Sequence, residues 1–155
     1  GAIRALSEDG HLVICCGGGG IPVYRTEKNH LKGAAAVIDK DFASELLAEQ
    51  LNADMLIILT AVEKVAINFR KENEQWLSSM TPEDARRYAE EGQFAPGSML
   101  PKVEAAVKFA ESKTGRQALI TLLEKARDGI AGKTGTIVQM QEAGVPEREA
   151  VGALS

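Results

Sequence analysis

Two short apolar runs, Met55 to Thr60 and Ala118 to Leu122, limit what this chain can fold into more than any other feature. Neither alternates polar with apolar residues, and neither is long enough for a helix that stands alone. Such runs are the signature of strands covered on both faces. Patterns of helical period lie between them. Thr81-Pro82-Glu83-Asp84 is a strong helix start, with a capping threonine, proline at the first position and acids in the first turn. That helix is predicted to run to about Glu91 and stop at Gly92. A second begins after Gly97 and buries Val103, Ala106, Val107 and Ala110. A short helix at Leu123 to Arg127, a turn at Gly129 to Gly135 and a last strand at Thr136 to Val138 complete this part. Strands alternating with helices predict an α/β protein, a three-layer α/β/α sandwich on a mostly parallel sheet.

Upstream, Gly1 to Ser7 reads as the tail of a helix, and Asp9-Gly10 makes a turn. His11 to Cys16 is predicted to be a buried strand that runs into Gly17-Gly18-Gly19-Gly20-Ile21-Pro22-Val23. Tyr24 to Ala36 suits a loop or small hairpin. A helix then carries Phe42, Ala43, Leu46, Leu47 and Leu51 on one face and ends near Asn52. Val65 to Phe69 is a further short extended piece. One body over 1–140 is expected, with 141–155 left as an unassigned tail.

At 155 residues, with 45% hydrophobic and 26% charged, the composition is that of an ordinary soluble globular domain. A net charge of -4, a pI near 5.3 and the lack of any basic run disfavour nucleic acid and anionic membrane as partners. No signal peptide or membrane-length apolar run is evident, which points to the cytoplasm. Cys15 and Cys16 are adjacent, so on a strand they would face opposite ways; buried free thiols are expected. His11 and His30 stand alone, and no set of residues has metal-ligand spacing.

Three polar or glycine-rich features fall where predicted strands end, which is where ligands bind in such sheets. The four-glycine run lets backbone approach an anion closely. A dinucleotide-binding reading of its G-x-G fails because Ile21-Pro22-Val23 follows where a helix must begin, and no G-K-[ST] closes a Walker-type loop. Asp39-Lys40-Asp41 opens the central helix. Lys40 is either a solvated lysine beside an N-cap aspartate or part of a phosphate site at the helix mouth. Gly97-Ser98-Met99-Leu100-Pro101-Lys102 repeats the choice at a second helix start. Two such lysines with Asp41 between them suggest a clamp for a transferring phosphoryl group, a reaction that needs mainly positioning and charge. One lysine–phosphate contact at roughly 4 Å is worth on the order of 4 kcal/mol before desolvation, at an effective dielectric near 20.

These same residues resemble the carbamate kinases of the amino acid kinase family. The resemblance rests on Val13-Ile14 with Gly17 to Val23, on Ala36-Val37-Ile38-Asp39-Lys40-Asp41-Phe42-Ala43-Ser44, and on Asn52-Ala53-Asp54. It continues through Ile58-Leu59-Thr60-Ala61-Val62 and Phe94-Ala95-Pro96-Gly97-Ser98-Met99-Leu100-Pro101-Lys102-Val103. It covers Gly1 to about Val138 and corresponds to the C-terminal, nucleotide-binding half of such an enzyme. It implies phosphoryl transfer between ATP and carbamate, in practice carbamoyl phosphate and ADP to ATP, with Mg2+, in arginine metabolism. Lys40 and Lys102 would contact the phosphates and Asp41 would orient them. Gly17, Gly18, Gly19 and Asp39 would lie near the transferred group. Thr60, Ala61, Val62, Phe94, Gly97, Ser98 and Met99 would frame the nucleotide. Ala35 stands where the family often has glutamate. The family's other half supplies a phosphate loop, a carbamate loop and a further lysine, so the isolated chain is expected to be inactive and to associate with another copy or a missing N-terminal half. The competing expectations are another amino acid kinase acting on a carboxylate, or a non-catalytic nucleotide-binding module.

Overall fold

A computed structural model describes residues 1–141. In chain order the elements are α1 (Ala2–Glu8), the hairpin β1 (Val23–Arg25) and β2 (Leu31–Gly33), and α2 (Lys40–Leu51). Next come β3 (Met55–Thr60), the hairpin β4 (Val65–Ile67) and β5 (Gln75–Leu77), and β6 (Ser79–Met80). The chain continues through α3 (Pro82–Glu90), α4 (Met99–Glu111) and β7 (Gln117–Leu122). A 3-10 turn over Leu123–Lys125, α5 (Ala126–Ile130) and β8 (Thr136–Gln139) close it. The predicted tail from 142 onward lies outside the described residues.

The central sheet has the order β3, β7, β8, β6. β3 runs parallel to β7, pairing Met55 with Gln117 through Thr60 with Leu122, and β6 runs parallel to β8; only β7 with β8 is antiparallel. This is the mostly parallel sheet predicted from the alternation of elements. β7 is buried from Ala118 to Thr121 because both its faces are covered. Ala118 and Ile120 join the core with Val103, Ala106, Phe109 and Ala110 of α4. Leu119 and Thr121 turn the other way, against α5. There Gly129 is needed for contact: a Cβ would come within 2.8 Å of Leu119 Cδ2. The layering is therefore helix, sheet, helix.

α3 starts as its sequence dictates. The Thr81 hydroxyl accepts from the Asp84 amide at 3.1 Å, and the Asp84 carboxylate accepts from the Thr81 amide at 3.3 Å. α2 ends at Asn52 in the left-handed conformation (φ +58), one turn-forming residue that tolerates it.

Several expectations need correction. His11 to Cys16 forms no strand, and Leu12 and Ile14 are fully exposed. Strand composition is not enough without a neighbouring strand to take the backbone hydrogen bonds. For the same reason the cysteines are not buried: Cys15 is exposed and Cys16 half-buried. β3 is fully covered on one face only: Leu56 and Ile58 are buried, whereas Met55 and Ile57 on the other face are part-buried and Leu59 is exposed. On α2 the predicted apolar face is displaced: Leu46 is exposed and Glu45 is the residue fully buried. Phe42 does pack on the core as expected, joined by Ala48, and α2 meets α4 through the ion pairs of Asp41 with Lys102 and Glu45 with Lys108.

The β4–β5 hairpin is fixed at its base by one buried hydroxyl. Thr136 Oγ1 accepts from the Val65 amide at 2.8 Å and donates to the Leu77 carbonyl at 2.6 Å. Thr136→Val keeps the shape and removes both bonds. It is expected to lower stability by about 1–3 kcal/mol in urea unfolding; an unchanged midpoint would show the bridge to be inert.

Candidate functional site

The mouth of α2 is built by Asp39. Its Oδ1 accepts from the amides of Asp41 (2.7 Å) and Phe42 (3.3 Å), so the aspartate caps its own helix. Those amides are therefore spoken for, and Lys40, the first residue of α2, points its charge outward from an exposed position. At the start of α4 the amides of Ser98, Met99 and Leu100 all donate to the Ala95 carbonyl (3.1 to 3.2 Å). At both helix starts the positive charge that remains for a ligand thus sits mainly on side chains.

Asp41 reaches from α2 to α4. Its Oδ2 lies 3.0 Å and its Oδ1 3.3 Å from Nζ of Lys102, and the two side chains are only 22% and 21% exposed. Asp41 holds Lys102 alone; among the described residues no contact joins it to Lys40, so the expected bracket around both ammonium groups is half made. One turn further along α2, Glu45 is fully buried, with Lys108 Nζ 3.0 Å from Oε2 but outside hydrogen-bonding alignment. Burial above all, and then the neighbouring Glu49, pushes the Glu45 carboxyl above the ordinary carboxylate range, while Lys108 pulls the other way.

The glycine run touches this assembly at Gly19. Its φ is +76, and a Cβ there would run into the Ile38 carbonyl oxygen, so only glycine lets the loop lie against the residue before Asp39. Gly17 and Gly18 are open, with nothing near a would-be Cβ. Cys16, at φ +58, precedes them; its Sγ lies 3.9 Å from the Ala43 carbonyl, and burial raises its thiol pKa.

A cavity of about 230 Å³ opens where β3 ends. It gathers Thr60, Ala61 and Val62 from the end of β3 with Phe94, Ser98 and Met99 from the loop into α4. Gly97 lies in the same loop but is not part of the lining. Sequence reasoning missed Phe69 and Trp76, which the β4–β5 hairpin swings over the cavity, and also Lys64 and Gln93. Phe69 and Trp76 meet edge to face, 6.0 Å between centroids. No local pattern announces them, because the hairpin is held by tertiary contacts. A larger hollow of about 370 Å³ between α3 and α4 is more open, sits away from the strand ends and is bordered by the Arg86–Glu111 ion pair.

The comparisons with known proteins accord with this arrangement. A model of the amino acid kinase family matches residues 1–121. The chain belongs to the amino acid kinase family. Carbamate kinase-like protein YqeA of Escherichia coli strain K12 is 67% identical over 136 residues, 88% of this chain and 44% of that protein. Carbamate kinase of Clostridium perfringens is 51% identical over 135 residues, 87% of this chain and 43% of its own length. The structure of carbamate kinase from Giardia lamblia bound to AMP-PNP superposes with a TM-score of 0.83 at 43% identity, over 90% of this chain and 48% of the other. This amino acid kinase chain therefore spans a little under half the length of the relatives it matches. No helix among the described residues is long and apolar enough to cross a membrane.

The donor set does not fit a magnesium ion held by the protein alone. No three His, Cys, Asp or Glu side chains gather among the described residues; Asp39 caps its helix and Asp41 is paired with Lys102. The cavity does fit a flat, largely apolar group, having aromatic and small side chains around it.

Glu45 allows a pH test of the α2–α4 contact. Its folded pKa is raised, so its contribution is fully present below the ordinary value of 4.5 and is lost as pH rises through the raised value. Glu45→Gln is expected to unfold at higher urea than the parent at neutral pH, with the gap closing as pH falls below 4.5. A gap independent of pH would contradict the assignment.

Proposed function

We propose that this chain is the C-terminal, nucleotide-binding half of a carbamate kinase, an enzyme that moves a phosphoryl group between ATP and carbamate and works in practice toward ATP. The observation that carries the reading is an adjacency along α4. The cavity at the end of β3 is lined by Ser98 and Met99, and Lys102 follows on the same helix, clamped by Asp41. A molecule with a planar apolar end and an anionic end suits that adjacency, and a nucleotide is such a molecule.

In this reading the base enters beside Thr60, Ala61, Val62 and Phe94, and the phosphates extend toward Lys102. Lys102 offers a preoriented ammonium where negative charge develops, and Asp41 keeps it from swinging into solvent. Lys40, exposed at the start of α2, supplies a second positive charge when phosphates are present. Gly17 and Gly18 bring unobstructed backbone toward the transferred group and Gly19 seats their loop against Ile38, while Asp39 contributes by fixing the start of α2. No residue of this chain is assigned to Mg2+; a bound ion would be held by the phosphates and would offset part of their charge. Relatives named carbamate kinase support carbamate and carbamoyl phosphate as the small substrates. The other half of the fold is the partner we assign, and a cytoplasmic setting suits the free thiols and the use of ATP.

Calorimetric titration of the chain with ADP and ATP tests the reading. Binding is expected, with no ATP formed from carbamoyl phosphate and ADP by this chain alone. Lys102→Ala is expected to weaken ATP binding by about tenfold or more and to leave adenosine binding unchanged. An equal loss for adenosine would place Lys102 outside the phosphate site, and no binding of any nucleotide would overturn the proposal.

A further inference from the structure

The hairpin that forms one wall of the cavity is fastened at two ends. Thr136 holds its base, as described above. Its turn is held from across the cavity by a different group. The Asn68 amide, at a residue with φ +53, donates to Oε1 of Gln93 at 2.9 Å. Gln93 is itself anchored: its backbone amide donates to the Tyr88 carbonyl at 2.9 Å, and its Nε2 donates to Glu91 Oε2 at 3.3 Å.

Each partner of that hydrogen bond stands next to an aromatic wall residue. Phe69 follows Asn68 and meets Trp76; Phe94 follows Gln93 and meets Tyr88 edge to face at 6.4 Å. Phe94 is buried, whereas Phe69 and Trp76 are about half exposed and have little packing to hold them. The Gln93–Asn68 bond therefore spans the two sides of the cavity and fixes the separation of one aromatic wall from the other.

We propose that Gln93 is a positioning residue for the nucleotide base, acting through the Asn68 amide on the Phe69–Trp76 wall. The inference rests on the nucleotide reading of this cavity. Gln93 makes no demand on the phosphates. With the acceptor gone, β4 still packs in the core through Val65 and Ile67 and Thr136 still holds the base, but the turn that carries Phe69 loses its tie to Gln93, and a base entering the cavity must order it as it binds. A wall already in place needs no such ordering, so affinity is higher.

Two variants separate this role from mere support of the fold. Gln93→Met keeps the length and volume but offers the Asn68 amide only a weak thioether acceptor, and Gln93→Glu, made together with Glu91→Gln so that no second carboxylate faces it, keeps the acceptor. Trp76 is the single tryptophan, so its emission reports on the cavity directly. The chain and both variants are titrated with ADP while Trp76 emission, acrylamide quenching and the urea midpoint are followed. Gln93→Met is expected to bind ADP about three- to tenfold more weakly, with Trp76 more open to acrylamide before ADP is added and the urea midpoint nearly unmoved. Gln93→Glu is expected to recover most of the affinity. Parental ADP affinity or parental quenching in Gln93→Met overturns the role of Gln93, as does a Gln93→Glu variant as weak as Gln93→Met. Failure of the unsubstituted chain to respond to ADP would instead overturn the nucleotide reading, and the role of Gln93 with it.

Discussion

The ion pair between Asp41 and Lys102 is what makes a site out of two separate helix starts. A lysine in the first turn of α4 works against the helix dipole, whose positive end is there. Asp41, one helix over, offsets that cost and is itself well placed in the first turn of α2. The pair is shielded from water on most of its surface, so its attraction is screened less than that of an exposed pair. Each helix leads into a strand of the central sheet, α2 into β3 and α4 into β7, and the pair joins their first turns.

From that point the geometry of a ligand is largely dictated. The amides of Asp41 and Phe42 on α2 are taken by Asp39, and those of Ser98, Met99 and Leu100 at the start of α4 by the Ala95 carbonyl. Charge for an anion must then come from ammonium groups, which is why the lysines matter more than the helix ends. The cavity lies one turn back along α4 and is apolar, with an aromatic hairpin over it. A mostly apolar pocket that borders the start of α4, with a clamped cation one turn further along that helix, is the arrangement on which the proposed nucleotide reading rests.

Much of this was legible in the residues. Met55 to Thr60 and Ala118 to Leu122 announced strands because they are rich in apolar residues yet too short for a helix that stands alone, and Thr81 to Asp84 announced a helix because its capping is entirely local. The resemblance carried by Asp39 to Ser44 and Phe94 to Val103 pointed to the residues around the cavity. What could not be read depends on contacts distant in the chain. β5 is three residues with a mixed pattern and exists because β4 and Thr136 hold it; Phe69 and Trp76 come with it, and Gln93 meets it from the loop before α4. His11 to Cys16 was misread in the opposite sense, since its composition suits a strand but no neighbour pairs with it. Glu45 on the buried side of α2 was hidden because a carboxylate does not register in an apolar pattern.

The most direct test of the account is a double-mutant cycle on Asp41 and Lys102, each replaced singly and together by alanine, with ATP affinity and urea stability measured for all four proteins. The account predicts that the two losses do not add, with a coupling of about 1 kcal/mol in stability and a similar non-additivity in ATP binding. Strictly additive losses in both measurements would contradict it, because the two side chains would then be acting apart.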